Sequence, residues 1–490
     1  MVRMVARGSW AHAAAVGLLA GLLGVACSGE PDARASPSRA RNLLIICLDT
    51  VRFDAMRAAG FVEEGAPRRT WSERAVRLGF AHAPAPWTVP SVASVLTGRD
   101  PLGHGAGVFS RPVANLDDEV PSPIAPGVPT LAERLTAEGF ETRAYVAHPW
   151  FESGYGLERG FSHLELEEGR RRLAGKATVW LNWHTAEKDP KPFFLYLHFM
   201  ESHANLTWKK GMYKSRGMRL TPVTQEAARA HAPAGACDDP GSSACWHYVA
   251  YVQSVAEQLN SIARVLTTLE ETGLLEQTLV MLYSDHGEEF RDHEAAGRAR
   301  GVDPRGIYGL GHGQSLYEEL LHVPVWIWHP SAAGRREEAP VSLLDLMPTA
   351  LDWLGLDGGK ELDGQSLLPW LLRGAPAPPV DRPLFATRIA YGPEQAAILR
   401  GGWKLVSYGQ GAGALFNLVR DPGEHQPVQG APVLDVLASQ LAEWTARAPV
   451  GTAPPPSLSR EQLERLESLG YLGGVPAREP EPAPQPTGSD

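Results

Sequence analysis

The sequence predicts an α/β fold: one large, mostly parallel sheet sandwiched by helices, followed by a small C-terminal antiparallel-sheet α+β subdomain. Four short apolar runs, 42–48, 142–147, 193–199 and 278–283, have the length and unbroken hydrophobicity of strands buried on both faces. Helical patterns separate these runs, and alternation of strand and helix means a parallel sheet covered on both sides. Past Val380 the pattern changes to short strand-like pieces broken by glycines, as in an antiparallel sheet.

Taken in order, residues 1–27 carry Arg3 and Arg7, an apolar stretch over 11–24, and small residues before Cys27. The stretch is too short for a membrane span and reads as an export signal. Cys27 resembles the lipid-bearing first residue of a bacterial lipoprotein, with a polar, Pro-containing tether over 28–40. This implies export and attachment to the cell envelope through a lipid on Cys27, or secretion if cleavage is ordinary. The large domain is expected over 41–380. Within it, Thr130 with Glu133 three residues on marks a capped helix over 130–138, and a long helix runs over 246–271 before Gly273. The C-terminal subdomain is expected over 381–475, with strands at 384–386, 396–400, 403–407 and 414–418 and a helix at 433–446. The Pro- and Glu-rich segment 476–490 reads as disordered.

Four cysteines do not make a disulfide framework. Cys47 lies in an apolar run as a small hydrophobe, whereas Cys237 and Cys245 flank a short loop and could pair in an oxidising compartment. The formal charge of −10, from 46 basic and 56 acidic residues without long blocks of either sign, argues against nucleic acid as a partner.

In an open α/β sheet, ligands bind beyond the carboxyl ends of the strands. Asp49 follows the first apolar run, His148 the second, His203 the third, and Asp285 with His286 the fourth. Packing would favour apolar residues at those places, so ionisable groups arriving at one sheet edge point to a site.

The run from Trp87 to Gly105 resembles the active-site signature of sulfatases, C/S-x-P-S-R followed by T-G-x-x-P-x-x-H-G. Pro90, Ser91, Thr97, Gly98, Pro101, His104 and Gly105 keep the frame, while Thr88 stands at the modifiable Cys or Ser and Val92 at the Arg. The resemblance spans about 40–475 and includes Asp49 in the first metal-ligand motif, Ser284-Asp285-His286-Gly287-Glu288 in the second, and Gly311-His312-Gly313. It also takes in the C-terminal pieces Gly402-Trp403-Lys404-Leu405 and Asp421-Pro422-Gly423-Glu424. It implies that Asp49, Thr88, Asp285 and His286 hold one divalent ion. It also implies that Thr88, His203 and His312 carry the catalysis, with His104 holding the turn.

Three departures shift the expected chemistry. Thr50 replaces the second Asp of the first motif, so the O, O, N, O donor set suits zinc or manganese better than calcium. Where the family has a Lys and a His in G-K-W-H-L-G, this chain has Ala147-His148-Pro149-Trp150 without Lys. A threonine cannot become formylglycine, whose hydrate supplies the second hydroxyl that expels sulfate, but as a plain alcohol it can form a phospho-threonine. The leading expectation is a metal-dependent hydrolase of anionic esters with Thr88 as nucleophile, favouring phosphodiesters or phosphonates over sulfate esters. The alternatives are a sulfatase despite the Thr, a transferase that passes a phospho-headgroup from lipid to an envelope glycan, and an inactive glycan-binding member of the family. Loops such as 206–235 carry no readable motif for the leaving group.

Overall fold

The structure, a computed structural model, describes residues 41–468 except 60–68, 110–119, 153, 168, 204–221, 234, 302, 307 and 410–412. The export signal, Cys27, the tether, the closing segment 476–490 and most of the loop 206–235 lie outside the described residues. Among the described residues no helix is long and apolar enough to cross a membrane.

In chain order the strands are β1 (Asn42–Leu48), β2 (Val76–His82), β3 (Glu141–Val146), β4 (His163–Leu166), β5 (Phe193–Phe199) and β6 (Thr278–Ser284). A two-stranded ribbon of β7 (Glu289–Phe290) and β8 (Leu310–Gly311) follows, then β9 (Val325–Trp328) and β10 (Arg335–Ser342). The main sheet has eight strands in the order β10-β2-β9-β6-β1-β5-β3-β4. β9 pairs antiparallel with both β2 and β6, whereas the other pairings are parallel, so β9 alone is reversed.

The four expected strands are the central β1, β5 and β6 together with β3. The remaining four were not legible as apolar runs because they are short or carry charge, as in Arg335-Arg336-Glu337-Glu338 of β10. Residues of β1 alternate between two cores: Leu43, Ile45 and Cys47 face one side, Leu44, Ile46 and Leu48 the other. One side packs the helix Thr88–Thr97, and the other the long helix Ser243–Glu271. That long helix starts three residues before the expected position, because Ser242 Oγ accepts from Cys245 N–H and closes its first turn. Cys237 and Cys245 are joined by a disulfide. Thr130 and Glu133 form the expected capping box on the helix Leu131–Ala137.

The C-terminal sheet is β11 (Leu384–Thr387), β12 (Ala396–Arg400), β13 (Trp403–Ser407) and β14 (Ala414–Asn417), antiparallel throughout. The helix Val433–Thr445 covers one face through Leu437, Leu441 and Trp444 against Ile398, Leu405 and Leu415. The other face turns Leu399, Val406 and Phe416 toward Leu316, Tyr317 and Leu321 of the large domain. Lys404 is fully buried at this junction, with Nζ 3.0 Å from Glu318 Oε1 and 2.9 Å from Glu424 Oε1.

Removing one partner from a buried charge cluster leaves the others uncompensated, at about 3–5 kcal/mol. Lys404→Met should therefore lower the unfolding free energy by about that amount, read from the urea midpoint. A variant as stable as the parent would show that Glu318 and Glu424 do not need the ammonium.

Candidate active site

The carboxyl ends of β1, β5 and β6 meet above the centre of the sheet, and their next residues form the site. Asp49 and Asp285 are both fully buried. The turn after β1 is held by several bonds: Val51 N–H donates to Ser284 Oγ at 2.8 Å, Arg52 N–H to Tyr251 Oη at 2.8 Å, and Ser202 Oγ–H to Asp49 O. Thr50 adopts φ 59°, a left-handed conformation rare for a β-branched residue, and its N–H lies 3.3 Å from Asp285 Oδ1. The strain aims a backbone donor at one side of Asp285.

The opposite wall is the helix Thr88–Thr97, every residue of which is buried. Trp87 provides no side-chain cap, so the positive end of the helix dipole falls where Thr88 sits. Trp87 Nε1–H donates to Arg388 O at 2.6 Å, which ties this helix start to the C-terminal subdomain, and Ser91 Oγ–H donates to Asp285 O at 2.6 Å. Val92, at the position of the family Arg, is packed in the core. His104 lies beneath the helix: its Nδ1 accepts from Ala106 N–H at 3.0 Å, so Nε2 carries the proton toward Pro90 O at 3.1 Å.

Thr88 Oγ1 lies 3.3 Å from His286 Nε2. His286 Nδ1 is 2.9 Å from Gly287 O, and a carbonyl only accepts, so the proton is on Nδ1 and Nε2 offers its lone pair. That nitrogen is 3.5 Å from Asp285 Oδ2 and 3.8 Å from Asp49 Oδ1, and both of these oxygens are buried without a hydrogen-bond partner. Two orphaned carboxylate oxygens and an imidazole lone pair converging in a dry site fit a cation, and Asp49, Asp285 and His286 form a group able to hold a metal ion. Burial pushes Asp285 up to about 6, opposed by His286 and reinforced by Asp49; burial and then Glu288 push Asp49 up as well.

His203 and His312 lie together, their ring centroids 4.9 Å apart, with His286 4.6 Å from His312. Burial holds His312 down at about 3, with the Arg305 charge adding to it; burial and then His312 hold His203 low. Glu288, fully buried, has Oε1 3.2 Å from His312 Nδ1, which orients that ring.

Two imidazoles gain importance over the sequence reading. His148, set apart there by its place after a strand and in the segment Ala147-His148-Pro149-Trp150, has Nε2 3.5 Å from Thr88 Oγ1 and 3.4 Å from Asp49 Oδ2. Its Nδ1 accepts from Trp150 N–H at 3.2 Å, so Nε2 is the donor. His198 was missed because it lies inside the apolar run of β5, yet its Nε2 is 3.2 Å from Asp49 Oδ2. A lone imidazole near the carboxyl end of an otherwise apolar strand was the available signal. Glu288 was visible in the second motif but had no assigned task.

The fold and this site define an α/β protein with a buried cation-type centre and a hydroxyl at a helix start. The sulfatase family model matches residues 41–356, and the chain belongs to that family. The multifunctional alkaline phosphatase superfamily protein PehA of Trinickia caryophylli is 25% identical over 52% of this chain and 55% of its own length. Steryl-sulfatase of Mus musculus is 29% identical over 58% of this chain and 46% of its own. The chain thus spans about half the length of these curated relatives. Among solved structures, the phosphonate monoester hydrolase of Agrobacterium radiobacter superposes with TM-score 0.59 at 20% identity, covering 83% of this chain and 95% of that one. A structure in complex with its substrate D-glucosamine-2-N,6-O-disulfate gives TM-score 0.62 at 17% identity, covering 83% and 98%. At these identities the structural likeness shows the fold.

A cation at this site must displace the proton that burial keeps on Asp285 up to about pH 6. Affinity for zinc or manganese, measured by chelator competition, should rise with pH by up to about tenfold per unit through that range, and more steeply where Asp49, also raised by burial, is protonated too. A flat profile through that range would exclude Asp285 as a ligand.

Proposed function

We propose that the chain is a metal-dependent hydrolase of anionic esters in which Thr88 is the nucleophile, with phosphodiesters or phosphonates cleaved in preference to sulfate esters. The observation that carries this reading is Thr88 Oγ1 at an uncapped helix start, 3.3 Å from the His286 lone pair and beside the orphaned oxygens of Asp49 and Asp285. Asp49, Asp285, His286 and Thr88 would hold one divalent ion, zinc or manganese by the donor set, which would acidify the Thr88 hydroxyl and neutralise charge on the substrate.

The chain's own residues supply the rest. The positive end of the Thr88 helix, which has no side-chain cap, receives the non-bridging oxygens, and the His148 Nε2–H is a further donor beside Thr88. The Thr88 hydroxyl loses its proton to solvent, its oxygen bonds to phosphorus as the bond from phosphorus to the ester oxygen breaks, and His203, having taken a proton from solvent, passes it to the departing oxygen. Water then attacks phosphorus, the bond from phosphorus to the Thr88 oxygen breaks, and the proton of the water passes to Nε2 of His312, whose Nδ1–H faces Glu288. Thr88 is thereby regenerated. A sulfated Thr88 would lack the second hydroxyl by which formylglycine sheds sulfate, and without a Lys at the His148 segment the site suits a singly charged phosphodiester better than a doubly charged phosphate monoester.

The names of PehA and of the phosphonate monoester hydrolase support the phosphorus reading; steryl-sulfatase, among the relatives, favours sulfate esters as the second reading. The N-terminal pattern supports export with a lipid on Cys27, which would place the site before anionic esters of the envelope, in glycans or lipid headgroups.

The test is a panel of nitrophenyl sulfate, phosphate, phosphodiester and phosphonate with metal-reconstituted protein. Phosphodiester or phosphonate turnover should exceed sulfate turnover, and Thr88→Ala should lose about two to four orders of magnitude in kcat. Sulfate turnover with inert phosphorus substrates, or full activity in Thr88→Ala, would overturn the reading.

A further inference from the structure

The residues beneath Asp49 form a hydrogen-bond chain that the reaction does not use. Tyr196 and His198 are two apart on β5 and so share a face, and the register places His198 and Tyr283 beside Cys47 of β1 on that face. Tyr283 Oη is 2.9 Å from Tyr196 Oη, Tyr196 Oη is 3.3 Å from His198 Nδ1, and His198 Nε2 is 3.2 Å from Asp49 Oδ2. All four side chains are fully buried. An ionised carboxylate, the form a cation requires, only accepts, so His198 Nε2 must carry the proton and Nδ1 must accept. Tyr196 then donates to His198, and Tyr283 donates to Tyr196. The chain runs one way and ends on Asp49 Oδ2, where His148 Nε2–H also lies at 3.4 Å.

Resting on the metal-dependent reading above, we propose that His198, backed by Tyr196 and Tyr283, is a positioning residue that engages Asp49 Oδ2 and leaves Oδ1 as the one oxygen presented to the ion. Oδ1 is the oxygen without a hydrogen-bond partner, and it faces the His286 lone pair. The His198 Nε2–H satisfies that side of the carboxylate with a neutral group, so the site takes a single ion on the Oδ1 side. Carboxylates that ligate metals are commonly fixed by such outer partners, whose loss costs about 10–100-fold in affinity.

Zinc and manganese affinities of the full chain and of His198→Ala, His198→Gln, Tyr196→Phe and Tyr283→Phe, measured by competition with a chromophoric chelator, test this. His198→Ala should weaken binding about 10–100-fold. Tyr196→Phe should weaken it less, by roughly three- to tenfold, and His198→Gln should recover most of the loss because its amide can donate to Oδ2. Circular dichroism and Tm identify any variant that fails to fold; if His198→Ala does, Tyr196→Phe decides alone. Folded variants that bind within about twofold of the parent would overturn the positioning role and leave the metal-dependent reading standing. A parent chain that binds no divalent ion would overturn both.

Discussion

Asp49 and Asp285 are held fully buried with one oxygen of each lacking a hydrogen bond, and burying such charge costs several kcal/mol per group unless a cation shares it. Much of the surrounding structure keeps these two carboxylates in place. The strained Thr50 turns its N–H toward Asp285, Ser202 holds the backbone of Asp49, and Tyr251 both donates to Thr50 O and accepts from Arg52 N–H. Arg52 in turn reaches Asp292 and Glu288 O, so the segment that bears the second motif is fastened to the loop that bears the first.

The family frame has been kept while its centre has changed. Helix Thr88–Thr97 is fixed from below by His104 and at its start by Trp87, which is enough to hold whatever residue stands at position 88 against the carboxylates. Val92 packs as a core residue, so this helix presents no guanidinium at that position. Imidazoles occupy the surroundings instead: His148, His198, His203, His286 and His312 are all buried, and burial holds each of them toward the neutral form. Neutral imidazoles act as directed donors or acceptors, and the partner on the far ring nitrogen decides which. Trp150 N–H makes His148 a donor, and Gly287 O makes His286 Nε2 a lone pair.

The C-terminal subdomain contributes to this arrangement without supplying a ligand. It meets the large domain through an apolar face and through the buried Lys404 cluster, and its residue Arg388 accepts the Trp87 indole proton at the helix start. Its Tyr391 also stacks under Arg305, 3.6 Å from guanidinium to ring, which places a fixed cation near His312. The sheet of the subdomain thus buttresses one side of the site.

The sequence by itself determined the strands that bear the site, because β1, β5 and β6 are buried on both faces and so are written as continuous apolar runs. It also determined which ionisable groups arrive at their carboxyl ends, and the spacing from Trp87 to Gly105 marked Thr88 as the residue at the helix start. It did not reveal the edge strands, whose charged and short segments lack that signature, nor His198, which is indistinguishable in one dimension from its apolar neighbours. Only the tertiary structure decided which face of β5 points toward Asp49, which nitrogen of each imidazole carries its proton, and which carboxylate oxygens are left without partners. Those outcomes depend on groups far apart in the chain, such as Tyr196 and Tyr283 or Thr88 and His286, and no local pattern encodes a distance between them.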